Sequence, residues 1–193
     1  MSGTHWQGAR AVLCLCVALV SVSRAVEGGE QPSAPAPSPK AIESMRLLDS
    51  QDPYLRELGF LRLEALREPS TLETIKKHLT DDDPDIRAYS LRAVAAIEGL
   101  PSVPLLLNVL KRDPEPRVRR AALLGLEPFE KGNPDILPAF LTSLRDRKVE
   151  VRIVAVDIVS RVENPKAKEA LQLRNKRERD PDVRRVLVLA MKR

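Results

Sequence analysis

"DDDPDIRAYSLRAVAAI", residues 81–97, decides the fold of this chain. Three aspartates and Pro84 come before Arg87, and an apolar segment rich in alanine follows. Such an acid cluster could hold a metal ion, could serve as an acid and base pair, or could mark a helix start, where aspartate caps free backbone N–H groups. The rest of the sequence distinguishes among these three interpretations, because it repeats the pattern.

Four further stretches carry the same pattern at a nearly constant spacing. The arginines that the five stretches share are 31, 32, 33 and 32 residues apart, and an apolar residue precedes each one. These arginines are Arg56, Arg87, Arg119, Arg152 and Arg184. A fixed period in this range predicts stacked structural repeats, and it favours the helix-start interpretation of the acids over a metal or catalytic site.

Proline and aspartate mark where the helices of the repeats should begin, because proline is tolerated in the first helical turn. The first helix of each pair is predicted to start near Pro53, Pro84, Pro116, Val149 and Pro181. The second helices are predicted near 70–80, 101–112, 133–145 and 165–177, and no stretch alternates convincingly as a strand. The sequence therefore predicts an all-α protein, a right-handed α-solenoid of about four and a half helical hairpins.

The repeated motif resembles that of the HEAT-repeat proteins, in particular the short bacterial HEAT repeats of the phycobilin-lyase-like type, over residues 41–193. It consists of an Asp or Pro turn, a Val/Ile-Arg pair and a small-residue helix such as "VRRAALLGL", residues 118–126. The resemblance implies a hydrogen-bonded ladder between repeats, in which an acid stands six residues before each arginine. The implied ladder residues are Asp81, Arg87, Asp113, Arg119, Asp146, Arg152, Glu178 and Arg184, and Ser50 departs from the pattern.

Residues 1–25 have the features of a secretory signal peptide. They combine Arg10, an apolar run over 11–22 and small residues before Ala25, where we expect cleavage. This predicts an exported protein, periplasmic or secreted; the alternatives are a buried helix or an uncleaved segment that anchors the chain in the membrane. Residues 26–40, rich in Pro, Ala and Ser, are predicted to be a disordered linker before the repeat domain at 41–193.

The sequence carries little that points to chemistry. Both cysteines lie in the predicted signal peptide, His78 is the single histidine beyond it, and there is no Ser/His/Asp set or glycine-rich phosphate loop. We therefore expect no enzyme activity, no cofactor and no metal site. An accessory enzyme of the lyase-like branch is a third possibility that the resemblance leaves open.

The last helix, within Asp180–Arg193, is a first helix without its second. Val183, Val186 and Leu187 are predicted to face inward, whereas Leu189 adds apolar surface on another side. Either this helix packs on the helix at 165–177 and leaves a modest patch, or it docks with another copy of the chain or another protein.

The basic segment at residues 174–193 could bind anionic lipid or polymer, or could be a solvated cationic helix face. Nucleic acid is not expected as a partner, because the predicted export argues against it and no aromatic residues interleave with the charges.

These observations favour a non-catalytic scaffold or adaptor of the cell envelope that binds another protein. Binding is expected through the groove lined by second helices, through the uncapped C-terminal edge, or through both. The residues suggested as contacts are Lys77, Asn108, Thr142, Val186 and Leu189. Self-association through the last helix is a further hypothesis, and contact with a membrane is expected only through the export signal.

Overall fold

The structure, a computed structural model, describes residues 35–192 of the chain. The predicted signal peptide and residues 26–34 of the predicted linker lie outside this part, so cleavage and export stay predictions. The described chain contains ten α-helices and no strand, and the prediction of an all-α solenoid is confirmed. The helices are α1 (Pro39–Leu48), α2 (Pro53–Leu66), α3 (Leu72–Lys76), α4 (Pro84–Glu98), α5 (Val103–Arg112), α6 (Pro116–Leu126), α7 (Ile136–Ser143), α8 (Val149–Ser160), α9 (Pro165–Arg177) and α10 (Pro181–Ala190).

The helices form two layers. The first helices of the repeats stack in the order α2, α4, α6, α8 and α10, and each contacts the next. The second helices α5, α7 and α9 stack beside them, with α3 before α5, while α1 packs on α2 in the place of a preceding second helix. Each repeat therefore contacts mainly its neighbours, as expected for a solenoid.

The helices begin where the sequence places proline and aspartate. Asp52, Asp83 and Asp180 are N-caps, and each carboxylate accepts a hydrogen bond from the backbone N–H two residues further on, at 2.9, 2.9 and 3.0 Å. The predicted starts of all five first helices agree with the structure. Helix α1 begins at Pro39, two residues before the predicted domain boundary, and is capped by Ser38.

The apolar residue before each repeated arginine lies in the core. Its exposed fraction is 2% or less at Ile86, Val118, Val151 and Val183. The equivalent residue of α2, Leu55, is 40% exposed, because the described chain has no first helix before α2 to cover it. Burial of this position thus depends on the preceding repeat.

Gly59 allows α1 and α2 to approach closely. A Cβ atom at this position would lie 2.8 Å from Cδ2 of Leu48 and 2.9 Å from the backbone oxygen of Ser44. Both distances are too short for unstrained contacts, and the backbone oxygen cannot rotate away. Glycine is therefore required here by the packing of α1 and not by the conformation of α2.

We expect Gly59→Ala to lower the free energy of unfolding by about 1–3 kcal/mol, because α1 must shift away from α2. The change is measured by urea denaturation, with Ala65→Gly on the exposed side of α2 as the control for helix propensity. Alanine normally stabilises a helix interior by about 1 kcal/mol relative to glycine. A stabilising effect of Gly59→Ala that mirrors the loss in Ala65→Gly would contradict the close-packing explanation.

Candidate functional site

Arg119 of α6 links two successive repeats. Its Nε and Nη2 donate to the two carboxylate oxygens of Asp146 at 2.8 and 2.7 Å. Its Nη1 donates to the main-chain carbonyls of Asp113 and Pro114 at 3.0 and 2.8 Å. Such bidentate, charge-assisted bonds fix both the distance and the orientation of the groups they join. The guanidinium therefore ties the turn before its own helix to the turn before the next first helix.

The same geometry recurs in the neighbouring repeats. Arg87 donates to both carboxylate oxygens of Asp113 at 3.1 and 3.2 Å, and Arg152 donates to both oxygens of Glu178 at 3.0 and 3.1 Å. Each arginine also donates to the main-chain carbonyl of the residue six positions before it. Asp113 and Asp146 thus each accept from the arginine of the preceding repeat with the side-chain carboxylate and from the arginine of their own repeat with the main-chain carbonyl.

The ladder acids also hold the turns in which they lie. Asp113 and Asp146 accept hydrogen bonds from the backbone N–H two residues further on, at 2.9 and 2.8 Å. Oε1 of Glu178 accepts from the N–H groups of Arg179 and Asp180, both at 3.0 Å. In each of these turns, a single carboxylate therefore fixes where the following helix begins. The same carboxylate fixes the distance of that helix from the previous repeat.

The two ends of the predicted ladder differ from its middle. Arg56 approaches a single oxygen of Asp83 at 3.4 Å, and its buried Nε has no hydrogen-bond partner within residues 35–192. The carboxylate of Asp81 instead accepts from the N–H of Asp83, so Asp81 contributes to the ladder through its carbonyl. Arg184 is exposed and donates no side-chain hydrogen bond to any residue that the structure describes.

A second set of ion pairs joins successive repeats, and the sequence did not predict it. Arg117 of α6 pairs with Asp85 of α4, and Arg161 pairs with Glu127 at 2.7 Å. Asp85 and Arg117 stand at the same position of adjacent repeats, two residues before the ladder arginine. Opposite charges at one repeat position are the signal that could have revealed this pair.

A groove with a volume of about 1070 Å³ lies between the ends of α5 and α7. Thr142 is exposed and lies in its lining, together with the ladder residues Asp113, Arg119 and Asp146. Asn108 on α5 and Lys77 after α3 are also exposed, on other parts of the second-helix layer. The structure therefore places one of the three suggested groove contacts in this groove.

The last helix leaves apolar side chains on its outer side. Leu189 is 57% exposed and Val188 is 46% exposed, whereas Val183 and Leu187 are buried against α8 and α9. Val186 is partly buried and packs against the core. The structure thus places Leu189 on the surface and Val186 mostly beneath it.

His78 has an aromatic ring and a carboxylate as neighbours. The ring of His78 packs edge-on against Phe60 with 5.3 Å between ring centroids, and its Nδ1 lies 3.8 Å from the carboxylate of Asp81. Within residues 35–192, no group of three or more His, Cys, Asp or Glu side chains is arranged to hold a metal ion. None of the helices in this part of the chain has the length and the apolar character needed to cross a membrane.

The pKa of the Glu178 carboxyl is far below its ordinary value of 4.5. Burial acts to raise this pKa, but hydrogen bonds from the N–H of Asp180 and from Arg152 and Arg174 outweigh it and lower the pKa to about 2. The pKa of the Asp146 carboxyl is also lowered from its ordinary value. Burial acts to raise this pKa, whereas the hydrogen bonds from Arg119 act to lower it. These carboxyls therefore stay ionised in the folded chain under mildly acidic conditions.

The lowered pKa of Glu178 predicts a defined pH dependence of stability. The ionised carboxyl stabilises the fold fully above pH 4.5, and this stabilisation, about 3 kcal/mol, is lost as the pH falls to about 2. We expect Glu178→Gln to be less stable than the wild type at pH 7 and to approach it as the pH falls towards 2, as measured by urea unfolding. Glu169→Gln, on an exposed part of α9, is the control. A difference that stays constant over this range would contradict the assignment.

Two arginines of α6 allow the ladder to be tested against a surface pair. Arg119→Gln is expected to lower the free energy of unfolding by about 3 kcal/mol, because it leaves the carboxylate of Asp146 without its buried partner. Arg117→Gln, two residues away, removes an exposed pair and should cost about 0.5 kcal/mol. Chemical denaturation of both variants measures the difference, and equal losses would show that the ladder is no stronger than a surface ion pair.

Comparison with known proteins agrees with this architecture. Residues 103–192 match the model of the HEAT repeats family. Protein YibA of Escherichia coli (strain K12) and of Escherichia coli O157:H7 is 32% identical over 88 residues, which is 46% of this chain and 31% of YibA. The chain thus spans about a third of the length of the curated relatives it matches.

Two solved structures are similar in fold. A chain in the complex of CpcE and CpcF of phycocyanin lyase from Nostoc sp. PCC7120 is 23% identical, with a TM-score of 0.58 over 78% of this chain and 96% of that one. An engineered protein is 17% identical, with a TM-score of 0.50 over 79% of this chain and 78% of that one. The family match thus identifies HEAT repeats over residues 103–192, in agreement with the predicted resemblance, and the two solved structures show a similar fold.

Proposed function

We propose that this chain is a non-catalytic scaffold or adaptor that binds another protein through the groove between α5 and α7. The observation that carries the proposal is the groove itself, which at about 1070 Å³ is large enough for several side chains of a partner. Its lining combines apolar residues such as Leu107 and Leu141 with exposed polar ones such as Thr142. This combination is typical of surfaces that bind proteins.

The walls of the groove are held in place before any partner binds. The rung formed by Asp113, Arg119 and Asp146 lies in the lining and joins the turn after α5 to the turn after α7. A partner would therefore lose little binding free energy to ordering the groove, since a preorganised surface reduces that cost.

The same rung argues against chemistry in the groove. Both of its carboxylates already accept bidentate bonds from arginines, Asp113 from Arg87 and Asp146 from Arg119. Neither is poised to act as a general base at neutral pH, because a base needs a free lone pair aimed at the substrate. An accessory lyase-like activity, suggested by the fold of the phycocyanin lyase chain, would have to use other groups.

The similar structure from Nostoc also supports a protein partner, because it is a complex of two proteins, CpcE and CpcF. HEAT repeats commonly present extended concave surfaces of the kind that bind other chains. We further propose that the protein acts in the cell envelope, which rests on the signal-peptide features of residues 1–25.

A second candidate function is the binding of anionic lipid or polymer through the basic C-terminal segment. The last turn of α9 carries Lys176 and Arg177, both exposed, and α10 adds Arg184. Arg174 is less available, because it pairs with Glu178. This function predicts affinity that falls steeply as salt is added, whereas a protein bound in the groove should be less sensitive.

Site-specific photo-crosslinking tests the groove. We expect a photoreactive residue at Thr142 to crosslink to one specific partner in envelope extract, identified by mass spectrometry. The same residue at Leu124, which is 46% exposed on a first helix, is the control. Crosslinking from Leu124 alone, or no partner from either position, would contradict binding in the groove.

The C-terminal edge is tested separately with Leu189→Lys. If the apolar edge mediates association, the charged side chain should abolish it and leave the helix content intact, because Leu189 is not part of the core. Analytical ultracentrifugation and circular dichroism measure these two properties. Leu124→Lys is the matched control, and a Leu189→Lys variant that still associates would exclude this edge.

A further inference from the structure

A row of arginines runs along the ends of the second helices. Arg112, Arg145 and Arg177 each stand directly before a ladder acid, and they are 33 and 32 residues apart in the chain. All three side chains are exposed, and none of the three guanidinium groups forms a hydrogen bond or an ion pair with a residue within 35–192. These three residues are called the arginine row. They occupy the same repeat position, at the ends of α5 and α9 and two residues after the end of α7, so the packing of the second helices sets their spacing.

That spacing matches an extended polypeptide. Packed helices lie about 8–10 Å apart, and α5, α7 and α9 contact one another in this order. An extended chain in the polyproline II conformation has three residues per turn and rises about 3.1 Å per residue, so residues three apart lie on the same side and are separated by about the distance from one second helix to the next. A chain that crosses the repeats could thus present a side chain to each arginine at every third residue.

The groove between α5 and α7 lies within this row. Arg112 and Arg145 are part of its lining, together with two more exposed cations, Lys111 and Arg147. Arg147 donates to the main-chain carbonyl of Pro114, which leaves its charge without an acidic partner. The groove therefore presents four cations that form no ion pair with a carboxylate of residues 35–192, although Arg147 also lies in the field of Asp146.

The acids of the groove do not offset this charge. Both Asp113 and Asp146 are already bound to ladder arginines, and each also accepts from a backbone N–H. The field at the mouth of the groove is consequently positive, and it attracts carboxylates from solution. Cations in the last turn of a helix also interact favourably with its dipole, by about 0.3–1 kcal/mol, but this effect does not require one arginine at the same position in three repeats.

We propose that the arginine row and the groove bind an extended acidic segment of a partner protein, with carboxylates near every third residue and an apolar side chain over Leu107 and Leu141. The proposal rests on the proposed function and names the chemistry of the partner. A flat anionic membrane fits less well, because the apolar residues lie within a concave groove. Single-stranded nucleic acid fits less well, because the groove lining contains no aromatic residue for stacking.

The direct test uses two fluorescent peptides of the same composition and roughly 12 residues each, long enough to span three repeats in extended form. One has glutamate at every third position with leucine near the centre, and the other has its glutamates in one block. Fluorescence anisotropy with the full chain is expected to show binding of the spaced peptide that is about ten-fold tighter or more. Equal binding of the two peptides would overturn the proposal in favour of unspecific charge attraction.

Charge reversal then locates the site. Arg112→Glu/Arg145→Glu should weaken binding of the spaced peptide by about ten-fold or more, because it places like charges opposite the glutamates. The control Arg46→Glu/Lys131→Glu has the same change in net charge, on α1 and in the turn before α7, and should stay within about two-fold of the wild type. Equal weakening in both variants would overturn the proposal. If the reversal variant does not fold, Arg112→Gln/Arg145→Gln replaces it, with the same direction expected.

Three further outcomes separate this inference from lipid binding and from the proposed function. Binding to vesicles of phosphatidylglycerol, with no preference between the peptides, would overturn the acidic segment in favour of lipid. A partner that crosslinks at Thr142 and binds the Arg112→Glu/Arg145→Glu variant as well as the wild type would overturn the arginine row but leave the scaffold function intact. Failure to crosslink any partner at Thr142, with the spaced peptide still bound as expected, would count against the scaffold function alone.

Discussion

The bidentate bond between an arginine of one repeat and the acid of the next is the interaction on which this fold depends. It joins two first-helix starts through groups that are largely buried, and the arginine then reaches back to the carbonyls of its own turn. A buried ion pair adds little net stability in general, because both charges must be desolvated. Its value here is geometric: once the carboxylate and the guanidinium are paired, the distance and rotation between successive repeats are fixed.

The fixed geometry between successive repeats also determines the shape of the protein surface. A solenoid has no single core to hold its distant parts in register, so each interface must set the next. The rung of Arg119 and Asp146 sets the relation between α6 and α8, and the same residues form part of the groove between α5 and α7. The polar groups that specify the repeat therefore also shape the surface we propose for binding, and they leave the neighbouring cations free of acidic partners.

Much of the fold could be predicted from sequence, because its signals are local. A proline after a capping aspartate, as at Asp83, marks a helix start regardless of what packs nearby. The site was less predictable, because it depends on contacts across repeats. The exposure of Leu55, the single weak contact of Arg56 and the free guanidinium of Arg112 all follow from what lies beside each residue, which the repeat pattern does not specify.

The lengths of the repeats show which part of the unit the ladder controls. The segment from each acid to its arginine is always six residues, from Asp81 to Arg87 as from Glu178 to Arg184, whereas the segment from an arginine to the next acid has 26 residues after Arg87 and 27 after Arg119. All variation in the period therefore lies between an arginine and the next acid, in the segment that includes the edge where the helices of a pair are joined by 3₁₀ turns such as Leu100–Ser102 and Glu127–Phe129. Insertions and grafted loops should be accepted at that edge, and a change of one residue in the six-residue turn should shift every repeat that follows it.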